Sequence, residues 1–291
     1  MTRFAPIALL AALALLLAGC GGNDSTNAAA VAGEVAEIVP ADVQLVFAVE
    51  TDPESEQWRR ADELLDRFPG KDELFEAFGD GLSREGLSFG GDVLPALGDE
   101  TYVVLRDVSD DEVVLITKPR DPEKLAELLR ESDEPSATRE VDGWTLVAEN
   151  EAILDAFGEE GDRLADADWF ADAQDRVEDD ALVTMLVNGA AAQKASEASV
   201  PERCRSAQEG ELDYAVGTLT AEEEGLRMLF AASGEGAEEL VGDETLLEHV
   251  PVGAIVYLGS PGFGAAGTAL DRKSTRLNSS HVKRSRMPSS A

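Results

Sequence analysis

Apolar and polar residues alternate over the stretch Val39–Pro53, which reads VPADVQLVFAVETDP. Val43, Leu45, Phe47 and Val49 occupy every second position, and successive side chains of a β-strand point to opposite faces with this period. The stretch therefore predicts a half-buried β-strand.

Later strands are predicted in pairs joined by short turns. Thr101–Arg106 and Glu112–Thr117 form one pair, and Leu212–Thr220 and Gly225–Ala232 form another. Thr138–Glu149 reads as a hairpin because Asp142-Gly143 is a typical two-residue turn. Since amphipathic helical segments separate these pairs, the pattern predicts an α+β fold with a largely antiparallel sheet and capped helices packed on it.

Two dipeptides, Asp52-Pro53 and Asp121-Pro122, each precede a segment with helical spacing of its apolar residues. Aspartate favours the N-cap of a helix, and proline favours the first helical position because its missing N–H would have no partner there. Both dipeptides are therefore predicted to start helices.

A second Val-Pro dipeptide opens the stretch Val250–Phe263, VPVGAIVYLGSPGF, and an apolar strand pattern follows it as in VPADVQLVFAVETDP. The likeness suggests an internal duplication. On this interpretation residues 39–249 form one α+β domain, the first of two repeats, and residues 250–270 begin a second, truncated repeat.

The N-terminus carries an apolar run, FAPIALLAALALLLAGC, preceded by Arg3 and ending at Cys20. This layout is typical of a secretory signal peptide, and Leu17-Ala18-Gly19-Cys20 resembles a bacterial lipobox. The resemblance implies cleavage between Gly19 and Cys20, and a diacylglyceryl thioether at Cys20 that carries fatty acyl chains such as palmitate. An uncleaved membrane anchor is the alternative, but the run is shorter than the ~20 residues of a spanning helix.

Residues 1–19 are therefore expected to be a lipoprotein signal peptide, and residues 20–38 a tether. Two acyl chains hold a protein firmly at a membrane, whereas one does so only marginally. We expect the protein to be attached to the cell membrane through Cys20 and to face the extracytoplasmic side.

The C-terminal segment of residues 271–291, DRKSTRLNSSHVKRSRMPSSA, is basic in an otherwise acidic chain. Its back-translation resembles a sequencing adapter, followed by the continuation of the same adapter. We interpret this segment as an adapter-derived artefact, expect it to be disordered, and expect the natural sequence to differ after Leu270.

The chain has 24 Lys and Arg against 59 Asp and Glu, a formal net charge of −35. Such a balance repels nucleic acid and anionic lipid surfaces. The sequence therefore predicts no nucleic-acid partner, and contact with the membrane only through the lipid.

Histidine and cysteine are scarce: apart from Cys20 and the tail, the chain contains only His249 and Cys204. A zinc site built from these residue types is therefore excluded, and a Ser-His-Asp triad would depend on His249 alone. Arg203 and Arg205 flank Cys204 and could lower its thiol pKa, but an unreactive loop cysteine is the preferred interpretation.

Three further motifs indicate chemistry only weakly. Gly262–Gly267 fits the spacing GxGxxG, yet no βαβ unit follows, so a glycine-rich loop is favoured over a dinucleotide site. Asp107–Glu112 and Asp166–Asp172 are acidic clusters without the glycine and distal glutamate of a calcium-binding loop. We therefore predict no metal or cofactor, and no pair of catalytic carboxylates can be selected from so many acids.

Four segments resemble an uncharacterised family of exported bacterial proteins, known as a domain of unknown function. They are VPADVQLVFAVETDP, Phe68-Pro69-Gly70, DVLPALGDETYVVL and LADADWF. The resemblance implies an extracytoplasmic, often membrane-attached domain, with no activity or site residues to transfer.

The sequence thus favours a lipid-anchored envelope protein with a binding or scaffolding role, not an enzyme, whose ligand or envelope partner is unknown. One alternative is a solute-binding component of a transporter, for which two lobes with parallel sheets are expected. A weaker alternative is a carboxylate-dependent hydrolase, which a cleft with two facing carboxylates of raised pKa would favour.

Overall fold

A computed structural model describes residues 31, 33–67, 70–71, 79–80, 82–83, 86–107, 112–132, 135–158, 161–177, 180–199 and 211–234. The strands are β1 (Leu45–Glu50), β2 (Glu100–Asp107), β3 (Glu112–Thr117), β4 (Ala137–Val141), β5 (Trp144–Ala148), β6 (Val183–Asn188), β7 (Leu212–Ala221) and β8 (Leu226–Gly234). The α-helices are α1 (Gly33–Ile38), α2 (Glu56–Leu65), α3 (Leu94–Ala96), α4 (Pro122–Glu131), α5 (Glu151–Leu154), α6 (Asp168–Gln174) and α7 (Gly189–Ser199). A π-helical turn, Phe89–Val93, leads into α3, and a 3-10 turn, Leu164–Asp166, precedes α6.

The eight strands form one sheet in the order β4-β5-β3-β2-β1-β6-β7-β8. Neighbouring strands in this order pair antiparallel throughout. The predicted α+β fold with an antiparallel sheet is therefore confirmed. Among the ranges described above, no helix has the length and apolar character required to cross a membrane.

Strand β1 lies in the middle of the sheet and pairs with β2 on one side and with β6 on the other. We call face one the side that carries Val46, Ala48 and Glu50, and face two the opposite side, which carries Phe47 and Val49. Neighbouring strands continue both faces because paired residues point to the same side of a sheet.

Face one is covered by α1, α5, the 3-10 turn and α6, whose apolar residues share one core with the sheet. Val31, Val35 and Ile38 in and beside α1 are 3%, 0% and 1% exposed. The folded domain therefore begins before Val39, and the predicted tether of residues 20–38 is wrong at its C-terminal end. Residues 20–30 and 32 lie outside the described part.

Face two is covered in two places. Helix α2 packs Trp58 and Ala61 against Val49 near the end of β1. Helices α3 and α4 cover the half of face two formed by β2, β3 and β5.

The two Asp-Pro dipeptides behave differently. The side chain of Asp121 accepts hydrogen bonds from the backbone N–H groups of Glu123 and Lys124, so it caps α4 as predicted. Asp52 does not cap α2; Ser55 does, by accepting a hydrogen bond from the N–H of Trp58. The prediction for Asp52 is wrong because its carboxylate instead binds the N–H of Glu54 and the guanidinium of Arg120.

The hairpin prediction is confirmed at Asp142-Gly143, which connects β4 and β5. Both residues have positive φ, 49° for Asp142 and 80° for Gly143. Positive φ at both central positions is typical of the type I′ turn, whose twist matches that of the flanking strands.

Candidate functional site

The most perturbed carboxyl group of the described chain belongs to Glu50, the last residue of the central strand. Its side chain is 3% exposed, and its Oε1 accepts a hydrogen bond of 2.9 Å from the N–H of Asp52. Its backbone carbonyl accepts a bond of 2.7 Å from the indole N–H of Trp58. Burial, with the nearby charges of Asp52, Glu100 and Asp99, raises the pKa of Glu50 to about 8.

Glu100 lies directly opposite Glu50 because the two are register partners on β1 and β2. Its Oε2 accepts a hydrogen bond of 2.6 Å from the hydroxyl of Tyr102. Burial is the main cause that raises the pKa of Glu100 above its ordinary value, and Asp99 and Glu34 add to it. The pair can therefore hold a proton at a pH where exposed carboxyl groups have lost theirs.

Two basic residues lie at the margin of this acidic pair. Lys118 Nζ is 2.8 Å from Glu34 Oε2 and lies 4.2 Å from the centre of the Trp144 ring. Arg120 bridges two carboxylates, at 3.2 Å from Asp52 Oδ1 and 2.8 Å from Asp99 Oδ1. The ion pairs of Lys118 and Arg120 are thus with Glu34, Asp52 and Asp99. Among the described interactions, neither basic side chain pairs with Glu50.

A row of buried threonines lies on face two at the same end of the sheet. The hydroxyl oxygens of Thr51 and Thr101 are 3.1 Å apart, and those of Thr101 and Thr117 are 3.3 Å apart. The row closes at Gly98, whose carbonyl accepts from Thr51 and whose N–H donates to Thr117. A Cβ at Gly98 would collide with the backbone carbonyl of Lys118, so this position requires glycine. These threonine hydroxyl groups form hydrogen bonds with one another and with Gly98, so we assign them a structural role.

A different surface lies at one edge of the sheet, on β8. Leu226, Met228 and Phe230 are 56%, 51% and 68% exposed. They pair with Ala221, Leu219 and Gly217 of β7 and therefore all lie on face two. We call Leu226, Met228 and Phe230 the open surface.

The edges of the open surface are set by the β7–β8 hairpin. Phe230 lies over Gly217, where an added Cβ would be 2.9 Å from the ring. The exposed hairpin turn carries Glu222, Glu223 and Glu224. An apolar strip beside a dense negative charge favours a partner that is apolar at its centre and basic at its margin.

Most residues singled out from the sequence lie outside the described ranges. These are Gly19, Cys20, Cys204, His249 and the glycine-rich stretch Gly262–Gly267. The proposed second repeat and the basic tail also lie outside them.

Of the two acidic clusters, residues 166–172 are described, whereas residues 108–111 are not. Within the described residues, no group of three or more His, Cys, Asp or Glu side chains is arranged to hold a metal ion. Glu50 and Glu100 were not identified from the sequence. The available signal was that each acid lies at one end of an apolar strand.

Comparison with known proteins gives little further information. No protein-family model matches the chain, and no curated protein sequence matches it. The chain is similar to crystal form III of TP0453, with 9% identity and a TM-score of 0.32 over 72% of this chain and 80% of the other. It is similar to crystal form I of TP0453 with the same identity and TM-score, over 82% of this chain and 91% of the other. Similarity at this level carries no argument about function.

Proposed function

We propose that this protein is a lipid-anchored envelope protein that faces away from the cytoplasm and acts by binding an apolar protein segment. The observation that carries the binding role is the open surface of β8. Exposed apolar residues scattered singly are ordinary, whereas several together on one strand face are typical of an interaction site.

The partner's chemistry follows from the charges around this surface. A chain with a formal net charge of −35 repels anionic lipid headgroups, which makes a bare membrane an unfavourable partner. An apolar segment with basic flanking residues complements both the open surface and the acidic Glu222–Glu224 turn. The family resemblance of the sequence supports the same extracytoplasmic role.

The binding role can be tested with a fluorescent peptide of alternating leucine and threonine, with lysines at each end. Met228→Thr and Phe230→Thr together should weaken its binding about tenfold, because truncating apolar anchors costs about 1–2 kcal/mol. Leu229→Thr is the matched control, since Leu229 is 36% exposed but lies on face one. Equal affinity for the double variant and wild type would contradict the proposal.

The anchoring is tested separately by metabolic labelling with a palmitate analogue in bacterial cells. Wild type should incorporate the label and fractionate with membranes, and Cys20→Ala should accumulate as an unlabelled precursor. Cys204→Ser controls for the loss of a thiol and should be labelled like wild type. Normal labelling of Cys20→Ala would contradict anchoring through this residue.

A second candidate function, a carboxylate-dependent hydrolase, is favoured by the facing pair Glu50 and Glu100 with its raised pKa values. Against it, Glu50 is 3% exposed, so a substrate would reach it only after the structure opened. Hydrolysis of isolated cell-wall material by wild type, abolished by both Glu50→Gln and Glu100→Gln, would favour the hydrolase. The antiparallel sheet counts against the third candidate, a transporter's solute-binding component.

A further inference from the structure

The two outer strands of the sheet differ in how their edges are protected. Strand β4 has five residues, and its Arg139 forms ion pairs of 2.9 Å with Glu151 and 2.7 Å with Asp155. Strand β8 has nine residues, Leu226–Gly234, and its stretch Met228–Ser233 carries no charge. Because short length and charge keep other chains from pairing with an edge strand, β8 is the less protected edge.

The outer side of β8 presents backbone N–H and C=O groups. The carbonyl of Leu219 on β7 accepts a hydrogen bond of 2.7 Å from the N–H of Leu182, which precedes β6. The backbone groups of Leu219 therefore point towards β6 and away from Met228, its register partner on β8. The two residues of such an antiparallel pair point their N–H and C=O groups away from each other, so those of Met228 face outward.

The outward-facing backbone groups belong to the residues of the open surface. Successive residues of a strand direct these groups to alternate sides, so Leu226, Phe230 and Ala232 share the orientation of Met228. Their side chains share face two for the same reason of alternation. In the part of the chain that the structure describes, no strand pairs with this outer side of β8.

The turn before β8 carries unpaired acidic side chains. Glu222 forms an ion pair of 2.6 Å with Arg227, the only charged residue of β8. Arg227 is the register partner of Thr220 and therefore lies on face one, away from the open surface. Glu223 and Glu224 are exposed, and neither forms an ion pair within the described ranges.

The other end of β8 is acidic as well. The Oδ2 atom of Asp213 accepts a hydrogen bond of 3.3 Å from the hydroxyl of Ser233, and the carbonyl of Glu211 lies against Gly234. Both acids are exposed, and among the described residues neither has a basic partner. The apolar edge is thus bounded by negative charge at each end.

We infer that an extended segment of another protein adds to β8 as a further antiparallel strand, with alternate apolar residues on face two and a basic residue at each end. The inference rests on the proposed function, because the open surface supplies its side-chain contacts. It specifies in addition the backbone pairing and the residue pattern of the partner. The antiparallel orientation follows the rest of the sheet and is the slightly more stable one per residue.

Strand addition uses the backbone and the side chains of β8 together. Main-chain hydrogen bonds supply affinity in this mode of binding, and the alternate side chains supply specificity. An added strand lies about 4.8 Å from β8, so its face-two side chains continue the open surface beside Met228 and Phe230. Basic ends meet the acids at both ends of β8, whereas a second copy of this chain would bring further negative charge.

Backbone methylation of the partner peptide tests strand addition on the unaltered full-length protein. The probe is the peptide of alternating leucine and threonine with lysines at each end. When its leucines lie on face two of an antiparallel ladder, their N–H groups face β8 and the threonine N–H groups face solvent. N-methylation of two leucines should weaken binding at least tenfold, whereas N-methylation of two threonines, the matched control, should change it less than threefold.

A variant of β8 tests the same hydrogen bonds from the other side. Ala232→Pro removes one outward N–H and keeps the side chains of the open surface, and edge strands tolerate proline where its missing N–H faces solvent. This variant should weaken binding of the unmethylated peptide at least fivefold. Ala232→Ser retains the N–H and should bind like wild type.

The charge of the partner is tested by replacing the terminal lysines of the peptide with glutamates. The glutamate peptide should bind at least tenfold more weakly at low salt, and the difference should shrink as salt screens the charges. Equal affinity of the two peptides at low salt would overturn the basic ends of the inferred partner.

Equal affinity for the two methylated peptides, or a greater loss from methylated threonine, would overturn the inference. A dimer of the full-length protein that the peptide dissociates would overturn it too, because a second copy would then occupy β8. In each of these cases, peptide binding that still depends on Met228 and Phe230 would leave the proposed function in place. Binding that does not depend on them would contradict the proposed function itself.

Discussion

The burial of the Glu50 carboxyl group links the stability of the fold to pH, and this gives a quantitative prediction. The pKa of Glu50 is about 8 in the folded protein, against 4.5 for the unperturbed group. Between these two values the folded state keeps the proton and the unfolded state has released it. Stability therefore falls as pH rises through this window, because the unfolded state binds fewer protons.

The size of the effect follows from the two pKa values. Each unit of difference corresponds to about 1.4 kcal/mol, so Glu50 lowers stability by up to about 3 kcal/mol at pH 7 and about 5 kcal/mol above pH 8. Solvent stabilises the charged form little, because Glu50 is 3% exposed.

Glu50→Gln removes this titration and keeps an oxygen that can accept the N–H of Asp52. The variant should be more stable than wild type by about 3 kcal/mol at pH 7, and the difference should shrink towards zero near pH 4.5. Urea unfolding followed by tryptophan fluorescence measures this at several pH values, since Trp58 and Trp144 are each 3% exposed. Glu140→Gln, at an exposed position of β4, is the control and should change nothing.

A difference between wild type and Glu50→Gln that stays constant from pH 5 to pH 8 would refute this reasoning. A variant less stable than wild type at pH 7 would refute it as well.

Three other substitutions test the packing described above. Gly98→Ala should cost about 1–3 kcal/mol of unfolding free energy because its Cβ would meet the carbonyl of Lys118, whereas Gly90→Ala, with open space around it, should cost little in the same urea titration. Asp121→Ala should lower the unfolding free energy by about 1 kcal/mol, because it removes the N-cap of α4. Asparagine can also cap a helix, so thermal unfolding should show a smaller loss of stability for Asp121→Asn. Trp58→Phe should cost about 1–3 kcal/mol, since it leaves the buried carbonyl of Glu50 without its indole donor, and an unchanged unfolding midpoint would contradict this.

Local patterns in the sequence were sufficient to predict many of the strands and one of the turns of the sheet. The bounds predicted for β3, Glu112–Thr117, are those observed, and the turn at Asp142-Gly143 has the expected conformation. In both cases the signal lies within a few residues: alternation over a strand, or a dipeptide that tolerates positive φ.

Features that depend on distant residues could not be predicted in this way. Asp52-Pro53 and Asp121-Pro122 look alike in sequence, yet only Asp121 caps a helix, since Asp52 binds Arg120, which follows it by 68 positions. The acidic pair was missed for the same reason. Nothing in LVFAVE distinguishes Glu50 from the other 58 acids of the chain, and only its register with Glu100 and its burial do so.

Stability and binding depend on two separate parts of the sheet. The acidic pair lies where β1 meets β2 in the middle of the sheet, and the open surface lies on β8 at one edge. Substitutions at distant sites without shared partners usually add in their effects on stability. Glu50→Gln should therefore raise stability at pH 7 by the same amount in wild type and in Phe230→Thr, and Phe230→Thr should weaken peptide binding equally with and without Glu50→Gln. Non-additivity greater than about 0.5 kcal/mol in either measurement would show that the acidic pair and the open surface are coupled.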